Sequence, residues 1–189
     1  MCEPAARAAA VGESVKTKLL VVAAAAVIAW GLKRHYADAR PEDLWWILSP
    51  TARVVSVMTG ATFTLEPGEG YLSRDRLFLI EKACAGVNFI IAAFGMLVVL
   101  LLQRVGSAVS GLRLLGVSLL ASYAAAVVVN SVRIGVAMRL ADHPIAPSMF
   151  TASDVHRIEG IVVYFGGLVL LHEIVRRLDG RGYTAGRRP

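Results

Sequence analysis

Charge is scarce in this chain. Of its 189 residues only 18% are Asp, Glu, Lys or Arg, while 56% are hydrophobic; soluble domains carry about a quarter charged residues. The apolar residues come in long runs rather than at amphipathic spacing, which excludes an ordinary soluble domain and leaves an integral membrane protein. Cysteine is nearly absent as well, with only Cys2 and Cys84. On the topology derived below they lie on opposite sides of a bilayer, so an intrachain disulfide is excluded by geometry. No Gly-Xaa-Ser-Xaa-Gly-like run falls in a span, which argues against a serine intramembrane protease. Closely spaced His and Cys ligands are missing, which disfavours a zinc site. No short apolar core with a small-residue cleavage site opens the chain, so neither a removed signal peptide nor a lipoprotein signal is read. The net charge of +6 is not interleaved with aromatics, so it points to membrane orientation and not to nucleic acid.

What is present is four apolar segments, at about 19–34, 87–102, 112–132 and 158–175. The first is short for a span, with Lys18 and Lys33 as snorkelling ends. These segments predict an all-α integral membrane protein of about four transmembrane helices. A cytoplasmic tail (1–18) precedes the membrane-embedded domain (19–175), and a basic cytoplasmic tail (176–189) follows it. Between the first two spans lies an exterior region, 35–83, read as interfacial around Asp43-Leu44-Trp45-Trp46-Ile47-Leu48 because paired tryptophans favour the headgroup boundary. A short buried helix turn reads the same residues equally well. Beyond it, Thr62 to Leu65, the turn-forming Glu66-Pro67-Gly68-Glu69-Gly70 and Arg76 to Ile80 predict a small β-hairpin or pair of strands.

Orientation follows from the positive charges. With the N-terminus inside, the cytoplasmic parts hold Arg7, Lys16, Lys18, Arg104, Arg113, Arg176, Arg177, Arg181, Arg187 and Arg188. In the segment 33–82, acids and bases balance. Both tails therefore belong in the cytoplasm, as the positive-inside rule requires.

That topology collects polar residues at the exterior ends of three spans. Cys84 opens the second span, Asn130 and Arg133 close the third, and His156 and Glu159 open the fourth. Cys84 and Asn88 are i,i+4; Asn130 and Arg133, and His156 and Glu159, are i,i+3, so each pair is predicted to share a helix face. Intramembrane polar groups face the protein interior or water, and a common cleft would satisfy all three pairs. A thiol becomes nucleophilic as thiolate near a helix N-terminus or a cation. Histidine carries protons at neutral pH, and arginine, always charged, stabilises an oxyanion. Each residue also has a plainer role when taken alone: Arg133 as a headgroup anchor, like Arg139 and Arg157; His156 as an interfacial residue; Asn88 and Asn130 as interhelical glue; Cys84 as a small packing residue. His143 reads as a solvated loop residue, and His172 and Glu173 as an inner helix end. The combination at one face favours chemistry.

The same residues carry a family likeness. The chain resembles the exosortase/archaeosortase family of membrane-embedded cysteine transpeptidases. Their signature is a Cys-[Ser/Ala]-Gly turn opening a span, an Arg closing a later span and a His opening the next. Here these are Cys84-Ala85-Gly86, Asn130-Ser131-Val132-Arg133 and His156-Arg157-Ile158-Glu159-Gly160. The run Glu81-Lys82-Ala83-Cys84-Ala85-Gly86-Val87-Asn88-Phe89 and the small size look most like the compact exosortase K subgroup. The resemblance, covering roughly residues 55 to 175, implies Cys84 as nucleophile, Arg133 as oxyanion or substrate stabiliser and His156 as general acid/base, with Asn88, Asn130 and Glu159 in support. It implies no metal and no cofactor. The implied substrates are exported proteins ending in a C-terminal sorting signal: a Pro-containing motif, a transmembrane helix and a basic cluster. A membrane lipid or surface polymer would accept the thioacyl group, at the periplasmic face of a bacterial inner membrane. Ala85 stands where many members have Ser, and larger members have more spans.

Two other readings compete. A non-enzymatic assembly factor or small transporter subunit would leave Cys84 unreactive. A metal site from Cys84, His156 and Glu159 is the weakest of the three, being short of ligands.

Overall fold

A computed structural model describes residues 3–75, 77–142 and 152–185, with side chains over 13–75, 77–141 and 157–178. Four of its helical stretches are long and apolar enough to cross a membrane: Glu13–Asp38, Lys82–Arg104, Ala108–Ala141 and Arg157–Leu178. The protein is an α-helical membrane protein. The first stretch belongs to α1 (Glu3–Asp38). Its apolar run is short, but the helix continues past Lys33 without a break. Lys33 Nζ donates to Asn88 Oδ1 at 2.8 Å and Lys18 Nζ to Gln103 Oε1 at 3.2 Å, so both flanking lysines reach neighbouring segments.

A 3-10 turn (Pro41–Leu44) leads into α2 (Trp45–Thr59). The tryptophan pair therefore opens a full helix rather than an isolated interfacial segment. Its inward face repeats at helical spacing: Ile47, Leu48, Thr51, Ala52 and Val55 are all buried, as is Leu44 just before it. That stripe is the i, i+3, i+4 pattern of a helix packed on a core. Pro50 sits inside α2 and has no N–H to give the carbonyl of Trp46, four residues back. Tyr123 supplies the missing donor: its hydroxyl reaches Trp46 O at 2.7 Å.

Three short antiparallel strands follow, in the order β1 (Thr64–Glu66), β2 (Gly70–Ser73) and β3 (Phe78–Ile80). The Glu66–Gly70 turn joins β1 to β2, with Glu66 facing Gly70 in the register. A strand not read from sequence, β2, lies between the two that were and pairs with both, Tyr71 facing Ile80. Alternation puts Tyr71, Phe78 and Ile80 against the core and Leu72 and Leu79 outward. A shallow depression of about 590 Å³ lies on that outer face, lined by Glu66, Glu69, Leu72, Arg74, Leu77 and Leu79.

After a 3-10 turn (Lys82–Ala85), α3 (Val87–Leu101) runs to a second turn, and α4 (Ala108–Asp142) returns. With 35 residues, α4 is roughly 52 Å long, well beyond the apolar thickness of a bilayer. Tyr123 meets Trp46, Ser131 meets Thr51 and Gly135 meets Met58, so α2 runs parallel to the second half of α4. The larger core joins α2, α3, α4 and the sheet around Ile47, Leu48, Ile80, Ile90 and Ile134. A smaller one joins α1, α3 and α4 around Val21, Phe94, Val98 and Leu114. The last helix, α5 (Ala152–Ala185), packs on α3 and α4. It leaves Ile161, Val162, Phe165, Val169 and Leu170 exposed, as lipid-facing residues would be.

Candidate active site

Cys84 lies in the 3-10 turn Lys82–Ala85, which Gly86 ends in the left-handed conformation at φ 67°. Only then does α3 begin, with the Ile90 N–H bonded to Gly86 O at 3.1 Å. The thiol therefore precedes the helix instead of riding on its first turn. That break undoes the i,i+4 relation with Asn88. Asn88 is exposed, and its Oδ1 accepts from Lys33 of α1. A residue at 86 with a side chain would be strained in this conformation, and its Cβ would lie 3.3 Å from Asn130 Cγ.

The turn is held from two directions. Its own Glu81 O accepts the Cys84 N–H at 2.9 Å, and from α4 the fully buried Asn130 donates through Nδ2 to the carbonyl of Cys84. On the α1 side, Lys82 Nζ donates to Ala37 O at 3.0 Å. The ammonium groups of Lys33 and Lys82 lie 5.8 Å and 5.2 Å from the ring centre of Tyr36. The cysteine turn is thus clamped between α1 and α4.

Arg133, one turn beyond Asn130, reaches α5. Its Nη1 donates to the Tyr164 hydroxyl at 3.4 Å, and its guanidinium carbon stands 5.3 Å from the centre of that ring. Its Nε is 3.9 Å from Glu159 Oε2, with only 13% and 6% of the two side chains exposed. Gly160 permits this approach: a Cβ there would fall 3.1 Å from Arg133 Nε. The Tyr164 hydroxyl in turn donates to Asn130 Oδ1 at 2.8 Å, and its ring rests against Phe89, 5.5 Å between centroids. Cys84 itself is half-buried.

Of the residues read from sequence, the structure brings Cys84, Asn130, Arg133 and Glu159 together and sets Asn88 apart. His156 is in α5, three residues before Glu159; its side chain lies outside the described residues, as do His143 and Cys2. Arg139 and Arg157 are exposed. Glu173 pairs with Arg176 and Arg177 within α5. Among the described residues no three His, Cys, Asp or Glu side chains are grouped to hold a metal ion.

Tyr164 and Gly160 were not legible as site residues. The signal for Tyr164 was a hydroxyl within an apolar span, where a polar atom marks an internal partner; Gly160 carried none. The chain matches no family model, no curated protein and no solved structure.

Proposed function

We propose that the protein is a membrane-embedded cysteine protease or transpeptidase of the exosortase kind. The observation that carries this reading is Cys84 in a clamped turn, its carbonyl tied to Asn130, with the mostly buried Arg133 one turn further along the same helix. A guanidinium, unable to give up its proton, is suited to stabilising an oxyanion beside a thiol.

In this reading the Cys84 thiolate adds to the carbonyl carbon of a scissile peptide bond. The new S–C bond forms as the carbonyl electron pair moves to oxygen, facing Arg133. Collapse breaks the C–N bond, and the departing amine takes a proton from His156, a role that rests on the family resemblance. An acceptor nucleophile, or water, then loses a proton to His156 and displaces the thiolate from the thioacyl group. The substrates are exported proteins with a C-terminal tail of Pro-containing motif, transmembrane helix and basic cluster. The acceptor is a lipid or surface polymer at the outer face of the cytoplasmic membrane.

The test is co-expression with a reporter carrying such a tail. C84S and C84A should leave membrane insertion intact and abolish the processed form. Processing that continues undiminished in both variants overturns the reading.

A further inference from the structure

We propose that Tyr164 is a positioning residue for Cys84, acting through Asn130 to set the geometry of the cysteine turn. This rests on the reading of Cys84 as nucleophile. An Asn amide in a buried pocket can rotate to exchange its donor and acceptor ends. Only one of the two orientations offers Nδ2 to the Cys84 carbonyl, and that is the one present. The Cys84 carbonyl, which can only accept, favours that orientation, and the Tyr164 hydroxyl holds it by donating to Oδ1 at 2.8 Å. The hydroxyl is itself oriented, because Arg133 Nη1 donates to the same oxygen. Its single hydrogen is therefore directed to Asn130. A single direction of donation thus runs from Arg133 to Tyr164, to Asn130 and to the backbone of Cys84.

The residues of this relay come from three separate segments. Arg133 and Asn130 are on α4, Tyr164 on α5 and Cys84 in the turn before α3. Asn130 is fully buried, so water does not compete for its amide. The relay also makes the placement of α5 felt at the thiol. That helix, otherwise largely exposed, meets the site through Tyr164 and Glu159. Phe89 and the face of the Arg133 guanidinium also hold the ring itself, which separates packing from positioning: Tyr164→Phe keeps the ring contacts and removes the hydroxyl, the donor to Asn130 and the acceptor from Arg133 Nη1.

The experiment is alkylation of Cys84 across pH in the full-length protein in detergent, with C2S making Cys84 the one thiol. Iodoacetamide is the probe, and circular dichroism verifies folding. Y164F should lower the alkylation rate at neutral pH about threefold or more and displace the pH profile, because thiol reactivity follows thiolate fraction and access. A purely structural Tyr164 would lower the melting temperature and leave the profile in place. A folded Y164F whose profile superimposes on the parent overturns the proposal. Should Y164F not fold, 3-fluorotyrosine incorporated at position 164 keeps the ring and the hydroxyl while changing its donor strength. A displaced profile then supports the relay, and an unchanged one overturns it. No substrate enters the assay. A displaced profile alongside unimpaired processing by C84A retires the transpeptidase and keeps the relay, whereas an unmoved profile alongside lost processing does the reverse.

Discussion

The Tyr123 hydroxyl donates to the carbonyl of Trp46, the oxygen that Pro50 leaves without a helical donor. A proline in a helix interior removes one backbone bond, and an unpaired buried carbonyl is costly. Here a side chain from another helix takes the place of the missing N–H and ties α2 to α4. The prediction is a pair of coupled variants. Y123F should lower stability by about 1–2 kcal/mol, and in a P50A background, where the amide hydrogen returns, the same change should cost less. Thermal melts of the four proteins give the coupling, and equal losses in both backgrounds refute it.

Arg133 and Glu159 form a buried pair, so removing one partner should hurt more than removing both. E159L alone is expected to destabilise by about 3–5 kcal/mol. R133M/E159L should recover part of that loss, as read from the melting temperature in detergent. Additive losses would show that the two charges are not coupled.

Lysine at position 133 keeps a charge but not the fork that touches the Tyr164 hydroxyl, the ring face and Glu159. If Arg133 stabilises an oxyanion, R133K should slow reporter processing about a hundredfold. Immunoblot time courses at matched expression decide this, and a rate near wild type removes Arg133 from the chemistry.

Gly160 lets the guanidinium lie against α5. G160A gains helix propensity, about 1 kcal/mol, yet its Cβ crowds Arg133 Nε at 3.1 Å. Cys84 alkylation at neutral pH should therefore slow without a loss of melting temperature. Unchanged alkylation would show that the guanidinium yields freely.

Sidedness is open to a direct assay. In intact cells an impermeant maleimide should label Cys84, while Cys2 reacts only after permeabilisation. Labelling of Cys2 first would invert the topology.

The four spans were legible because an apolar run long enough to cross a bilayer has few other uses. Their ends were less so: α4 continues through Arg133 and Arg139 to Asp142, since a helix does not stop where its apolar run does. The helix α2 was hidden behind Trp45, Trp46 and Pro50, although Leu44, Ile47, Leu48, Thr51, Ala52 and Val55 carried its period. At the site, the meeting of Cys84 with Asn130 of α4 could be reasoned from counting crossings. The exposure of Asn88 could not, because it depends on Gly86 taking positive φ, and glycine occupies either hand of backbone with similar ease. Tyr164 needed the packing of α5 on α4, which no local pattern encodes.

Gly86 also decides which part of the molecule the thiol moves with. Because Gly86 separates the turn from α3, Cys84 does not share the hydrogen-bond ladder of that helix. The sulfur instead keeps the frame of α4, through Asn130, and of α1, through Lys82. A displacement of α3 alone reaches the turn only through Gly86, whereas one of α4 or α1 reaches it directly through Asn130 or Lys82.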